Sequence, residues 1–445
     1  MTFADLEYWM WLTLAFRPAN PRKWNIISHY GSVKGAYEKI SAGDYSRILP
    51  QDMRSVRSAN MDQAKKMIDF CFSKGIRICS YGDRDYPNRL TEIYNPPSVL
   101  FYVGDISGID ESIVISAVGT RKPSDYSVEV GHKICFDLAS SGVIIASGFA
   151  LGLDSVAHRA ALDAGGKTIA VLPCGILYPY PRENAGNRRK VARSGAVVSE
   201  FFPSDRPSSP SFQARNRVLS GISSGALIIQ AGKKSGALST ANYAVGQGRD
   251  VFCIPPHDIL SDDYAGNAEL IREGAACVFS ANDILNEYKG VYPHKLKSET
   301  VRHADYPDES EASSVPHNEL KVKSSAAVNT TVTKASSLEE SSDEKVAEPK
   351  INSANDAEDI IDIEAIYPVS KSEIENMIVR RAFDSPSDSL DGVKKQIYDF
   401  ISENGEVHLD ELAVGIGNVN ELEAFLTELE LDGLIHSLPG NRFSI

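Results

Sequence analysis

The sequence predicts an α/β core, doubly wound around a mostly parallel sheet, for its central part, and two patterns support this. Between about residues 112 and 285, short continuous apolar runs alternate with amphipathic stretches of helical spacing, the arrangement of parallel strands covered on both faces. Glycine-rich and polar signals fall where those runs end, at the carboxyl edge where ligands of such sheets bind. A small all-α domain is expected before this core, and a module of short helices with a hairpin after it.

Residues 4–75 read as short helices broken at Arg17-Pro18-Ala19-Asn20-Pro21 and Ser41-Ala42-Gly43-Asp44, giving a helical domain over 1–80. From 81 to 111 the prolines Pro87, Pro96 and Pro97 remove donors and force their predecessors out of the helical region, so this segment is expected to run extended as a strap. In the core (112–290), strands are expected at 112–118, 143–147, 168–172, 196–199, 226–230 and 250–254. Helices are expected near 126–140, 153–164, 184–194, 211–222, 238–248 and 266–274. From 291 to 390 the chain gains Ser, Glu, Asp and Lys and loses most aromatics, the composition of a disordered linker. A weak helical island at 371–383 reads as a docking motif or a solvated helix. Residues 391–445 read as a helix at 391–403, short helices at 410–414 and 421–431, then strand, turn, strand, a winged-helix pattern. Its 420–432 helix carries five acidic residues and neither Lys nor Arg. Phosphate would repel it, so protein contact or folding stability is the expected role.

The net charge of −14 is unevenly placed. It is +3 over 1–109, zero over 110–285, +2 over 286–304, −12 over 305–392 and −7 over 393–445. The acidity belongs to the tail, and the core is free to carry a local basic site. Cys71, Cys79, Cys135, Cys174, Cys253 and Cys277 are scattered without a C-x-x-C pair, so neither a zinc site nor a disulfide framework is indicated. The apolar run from Trp9 to Phe16 is too short to span a bilayer and follows acidic Asp5 and Glu7. The expectation is a cytoplasmic protein without a membrane role.

Four segments carry chemistry. Phe212, Arg215, Asn216 and Arg217 place a ring, two guanidiniums and a carboxamide within six residues, groups that suit phosphate oxygens and stacked bases; capping or bridging to carboxylates is the bland alternative. Gly119, Thr120, Arg121 and Ser124 follow the first core strand, as a phosphate turn or as a plain strand-to-helix turn with a surface Arg. No Walker or G-x-G-x-x-G spacing is present. Ser147-Gly148 through Gly152 and Asp154 offer a closely approached backbone before a helix start. Asp154 and His158 lie one helical turn apart, so an acid/base pair is conceivable, but a cap and a packing histidine are favoured. Lys233, Lys234, Ser235 and Gly236 precede another helix, a phosphate loop or a solvated loop with a Ser cap.

Taken in order, these segments resemble the DprA (Smf) family of DNA-processing proteins. The resemblance rests on Tyr86-Pro87 with Pro96-Pro97 through Gly104, Val118 to Arg121, Ser147 to Asp154 with Ala157-His158, and Tyr180-Pro181 with Asn184. It continues through Ser199-Glu200, Phe212 with Arg215-Asn216-Arg217 and Ser220-Gly221, Ser235-Gly236 with Thr240-Ala241, and Gly266-Asn267 through Gly274-Ala275. It implies a helical, SAM-like N-terminal domain, a Rossmann-like core that binds single-stranded DNA and forms a homodimer, and a C-terminal winged helix. It further implies protection of incoming single strands and loading of RecA recombinase onto them in natural transformation, with no catalysis, cofactor or metal. By the same resemblance Gly119, Thr120, Arg121, Ser147, Gly148, Phe212, Arg215, Asn216 and Arg217 line the DNA pocket, with Lys233 and Lys234 on phosphates beside Ser235 and Gly236. The chain departs from the family at Ile254-Pro255-Pro256, at Leu153 and in its long acidic linker. The competing reading is a nucleotide-processing enzyme of the nucleoside-monophosphate phosphoribohydrolase type, whose Pro-Gly-Gly-x-Gly-Thr-x-x-Glu segment is absent. A third reading is an interaction scaffold acting through its tail.

Overall fold

The computed structural model describes residues 3–291 and a discontinuous set of positions between 392 and 444. The expected linker beyond residue 291 and its helical island at 371–383 lie outside the described residues.

Five helices come first: α1 (Phe3–Phe16), α2 (Arg22–Tyr30), α3 (Val33–Ser41), α4 (Pro50–Ser58) and α5 (Met61–Ser73). Helix α1 is apolar around its circumference, with Trp9, Met10, Trp11 and Leu12 all buried, as befits the central helix of a bundle. Its neighbours start on local signals: Ser32 caps α3, Pro50 opens α4, and Asn60 with Gln63 forms a capping box on α5.

The chain then enters the sheet earlier than expected. Strand β1 (Arg77–Ser80) is followed by α6 (Asn88–Thr91) and β2 (Val99–Gly104). Strand β1 pairs antiparallel with β2, which pairs antiparallel with a later core strand. The segment 81–111 is therefore not simply a strap. Up to Pro97 it runs through turns and the short helix α6 that begins after Pro87, and the continuous apolar run from Val99 to Val103, buried along its length, makes β2 an internal strand.

The remaining core elements alternate: β3 (Val114–Val118), α7 (Asp125–Ser140), β4 (Ile144–Ser147), α8 (Leu153–Asp163), β5 (Thr168–Val171), α9 (Arg188–Ser194), β6 (Ala196–Ser199), α10 (Ser209–Gly221), β7 (Gly225–Ile228), α11 (Gly236–Gly246), β8 (Asp250–Cys253), α12 (Ala265–Arg272), β9 (Ala276–Cys277) and α13 (Ala281–Tyr288). All six expected strands form. The sheet runs β1-β2-β6-β5-β4-β3-β7-β8-β9, parallel from β6 to β9. The chain winds from β3 out to β6 and returns to place β7 on the other side of β3, which makes the β3–β7 boundary the topological switch point.

Both faces are covered. On β5, Ile169 and Val171 pack in the cluster that holds Val218 and Leu219 of α10, whereas Ala170 packs with Trp9, Trp11 and Phe16 of α1. The period of two thus divides one strand between two cores, and the N-terminal bundle shares one of them with the sheet.

That shared core holds a charged triad. Glu200, just after β6, accepts from Nη2 of Arg217 at 2.5 Å, from Lys23 Nζ at 3.5 Å and from the Ala19 amide at 2.9 Å. All three side chains are buried. Burial raises the carboxyl pKa, but Arg217 and Lys23 more than offset it and hold Glu200 below its usual range. Burial pushes the Lys23 ammonium down to about 8 despite Glu200.

The C-terminal winged helix includes α14 (Gly392–Asn404) and the strands β10 (Val407–His408), β11 (His436–Leu438) and β12 (Arg442–Ser444), in the antiparallel order β10-β12-β11. Ile397, Ile401, Leu422, Leu426, Leu429 and Ile435 form its core. Among the described residues no helix is long and apolar enough to cross a membrane, and no cluster of His, Cys, Asp and Glu is arranged to hold a metal.

Candidate functional site

A cleft of about 620 Å³ opens at the switch point. Its walls are the loop after β3 (Gly119, Thr120, Arg121, Lys122), the first turns of α10 (Phe212, Arg215, Asn216) and the start of α11 (Ser235, Gly236, Ala237, Thr240). Asp154 and Ala150 form its floor and Asp263 reaches its rim.

The β3 loop is fixed by the backbone and side chain of Gln230. Thr120 N–H donates to the Gln230 carbonyl at 2.9 Å, and the Ser124 amide donates to Gln230 Oε1 at 3.0 Å. Gly152 adopts φ +78°, and a Cβ there would stand 2.4 Å from the Thr120 carbonyl oxygen. Only glycine lets the loop after β4 approach this closely. The result is a rigid turn whose Arg121 and Lys122 side chains remain exposed.

Across the cleft, the Arg121 guanidinium lies over the Phe212 ring, 5.3 Å from its centroid, and Tyr180 meets the same ring edge-on at 5.5 Å. Buried Arg188 anchors the loop that carries Tyr180, donating from Nη1 to the Ile176 carbonyl at 2.9 Å and from Nη2 to the Tyr180 carbonyl. Helix α11 begins at Ser235, whose hydroxyl accepts from Ala237 N–H at 3.3 Å. The other first-turn amides add positive potential at the cleft wall.

Arg215 lines the cleft from within. Its Nη1 donates to the Gly148 carbonyl and, at 2.8 Å, to the Val171 carbonyl, while Nε donates to Asn216 Oδ1 at 2.9 Å. Asn216 in turn donates to the Gly236 carbonyl at 3.4 Å, tying α10 to the start of α11. A Cβ at Gly148 would fall 1.9 Å from Arg215 Nη1. Beneath them, burial raises the Asp154 carboxyl above its usual range, against the pull of Arg215 and of the Ala150 amide.

Three sequence expectations change here. Arg217 does not reach the cleft: on α10 it lies about 200° around from Arg215, and it is committed to Glu200 in the core shared with the N-terminal helices. Ser147 is buried behind the wall, its hydroxyl donating to the Ala117 carbonyl at 2.6 Å, and Gly148 serves as the seat of the Arg215 guanidinium. Lys233 and Lys234 are exposed on the loop leading to Ser235 but do not line the cleft. Conversely, Lys122 does line it; its place between Arg121 and Ser124 in the turn after β3 is the signal that points to it.

Asp154 and His158 are not an acid/base pair. Thr168 Oγ1 donates to the Ile145 carbonyl, so at 2.7 Å it accepts from His158 Nδ1. Burial, reinforced by Arg215, pushes His158 down to about 3, and the ring packs against Phe149 as a neutral core residue. Nor does Asp154 cap its helix: the N-cap is Gly152, and the carboxylate accepts from Ala150 N–H at 3.2 Å.

Comparison with known proteins agrees with this architecture. Residues 77–289 match the family model of DNA recombination-mediator protein A, and residues 381–441 match that of the DprA winged helix domain. The chain is 39% identical over 215 residues to the DNA processing protein DprA of Bacillus subtilis (strain 168), covering 48% of this chain and 72% of that one. It is 39% identical over 209 residues to DprA of Streptococcus pneumoniae (strain ATCC BAA-255 / R6), covering 46% and 72%. The X-ray structure of DNA processing protein A from Streptococcus pneumoniae superposes with a TM-score of 0.55 at 29% identity, over 63% of this chain and 97% of that chain.

Proposed function

The chain belongs to the DNA recombination-mediator protein A (DprA, Smf) family of DNA-processing proteins, and on that premise we propose that its switch-point cleft binds single-stranded DNA without strong base preference. Arg121 and Lys122 hold phosphates at the mouth, the α11 amides with Ser235 and Gly236 receive a further phosphate, and Phe212 offers a face to a base. The observation that carries this reading is the Arg121–Phe212 pair at the open wall of a cleft in which the buried Arg215 and Asn216 are already engaged with backbone and with each other. A cation with an aromatic face suits a single strand, because every base has a π-face and every nucleotide a phosphate. Asn216, the carboxamide best shaped to read a base edge, is tied to Arg215 and the Gly236 carbonyl, which favours tolerance of sequence.

The wider role in this reading is protection of incoming single strands and loading of RecA recombinase onto them in natural transformation, by a cytoplasmic homodimer paired through its core. The family resemblance supports these points, and the acidic winged helix fits a protein contact better than a duplex. Fluorescence anisotropy with labelled oligothymidylate and a matched duplex tests the binding step. Preference for the single strand, lost when Arg121 and Lys122 are both changed to Glu, is the expected result. RecA filament assembly on strands coated with a single-strand-binding protein, with and without this chain, tests the loading step.

A further inference from the structure

A second and larger groove, of about 1200 Å³, lies between the N-terminal helices and α10. Pro210 and Ala214, one helical turn apart, form its α10 wall, while Phe212, Arg215 and Asn216 on the opposite face of the same helix line the switch-point cleft. One helix, ~10 Å across, therefore separates the two, with exposed Gln213 between them. The opposite wall belongs to α4, α5 and the turn after α1.

The charge of this groove is one-sided. Its single lining carboxylate, Asp52, is taken by Arg22, through Nε at 2.5 Å and Nη2 at 2.7 Å. Arg17, Arg54 and Lys66 line the groove, are exposed, and make no ion pair among the described residues. Phe70 adds a ring that is 38% exposed at the groove. Cations and an exposed ring are the same inventory as in the first cleft, on a different domain.

We propose that this groove continues the path of the strand: single-stranded DNA leaving the switch-point cleft crosses the N-terminal ridge of α10 and lays its backbone along Arg54, Lys66 and Arg17, with Phe70 as a stacking face. The proposal rests on the reading of the cleft given above. It makes the N-terminal bundle a second half of the binding surface, and so ties affinity to the length of the strand.

The test uses the full chain, oligothymidylates of about 6 to about 30 nucleotides, and three proteins: the wild type, the double variant Arg54→Glu/Lys66→Glu, and Arg121→Glu. Both groove positions are exposed on helix surfaces, so the double variant is expected to keep the wild-type circular dichroism and melting temperature. It should match the wild type on the shortest oligomers that bind. It should then lose the gain that longer strands bring, about tenfold at low salt, with a log–log salt slope smaller by about 1.4 for two phosphate contacts. Arg121→Glu should weaken binding at every length. A double variant that follows the wild type at every length, or one equally weakened at all lengths, overturns the continued path while leaving the cleft standing. If the wild type binds no oligomer of any length, the cleft reading falls and takes this one with it.

Discussion

The guanidinium carbon of Arg121 stands 5.3 Å from the centroid of the Phe212 ring, so the loop after β3 and the first turns of α10 meet across the mouth of the cleft. The contact pre-sets the direction of a phosphate-seeking cation and leaves its N–H groups available. A strand entering between the two walls meets an ordered arginine rather than one that must surrender its freedom on binding.

Phe212→Ala is expected to weaken single-strand binding by about 1–3 kcal/mol, the usual cost of losing one stacked base. Phe212→Trp should retain most of the affinity, since it keeps a π-face for both the base and Arg121. Equilibrium anisotropy titrations of the two variants against one oligothymidylate decide this.

Arg217→Ala should behave as a stability variant. Removing one partner leaves Glu200 buried beside Lys23 alone, and loss of one member of a buried ion pair costs about 3–5 kcal/mol. Denaturant unfolding should show that loss, while the folded fraction binds single strands as the wild type does. A comparable loss should follow Glu200→Gln, with Arg217 and Lys23 as the orphaned charges.

Asp154 places a pH dependence on binding. Burial raises its carboxyl above the usual range, and its ionised form repels phosphate at the cleft floor. As the pH falls through that raised value the group takes up a proton, and affinity should rise. Because the folded-state pKa exceeds the unfolded one, protonation also favours folding: this contribution is complete below the unfolded carboxylate pKa and is lost as the pH rises through the folded value. Asp154→Asn should bind more tightly than the wild type wherever Asp154 is ionised, above that raised value, and show a flatter pH profile, read by anisotropy at constant ionic strength.

Gly152→Ala and Gly148→Ala test the scaffold from two sides. At Gly152 the left-handed backbone and the 2.4 Å approach to the Thr120 carbonyl predict destabilisation of about 1–3 kcal/mol and a displaced Arg121 turn. At Gly148 a methyl group would displace the Arg215 guanidinium and strand its buried cation. Thermal melts and single-strand titrations should both register each change.

The sequence made the sheet legible because six apolar runs were long enough to be buried on both faces, and their polar ends marked the ligand edge. Strand β1 escaped notice because four residues, Arg77 to Ser80, carry no period of their own. Strand β2 was read as extended but not as paired, because pairing is set by partners distant in sequence. Within the site, helical geometry already separates the cluster: Phe212, Arg215 and Asn216 follow the i, i+3, i+4 spacing of one face, and Arg217 falls on the other. Glu200 as the partner of Arg217, and the tie of Arg215 to the Gly148 carbonyl, depend on tertiary approach that no local pattern encodes.

The salt dependence of single-strand binding shows whether Arg121 and its neighbours hold phosphates in the switch-point cleft. Anisotropy titrations of the wild type and of Arg121→Ala with one oligothymidylate, from low to physiological salt, give two log–log slopes. Wild-type affinity should fall steeply and Arg121→Ala should show a slope smaller by about 0.7, one single-strand phosphate contact, with weakening on every base sequence alike. A wild-type affinity indifferent to salt, or an Arg121→Ala variant with unchanged slope and affinity, would contradict phosphate binding in the cleft.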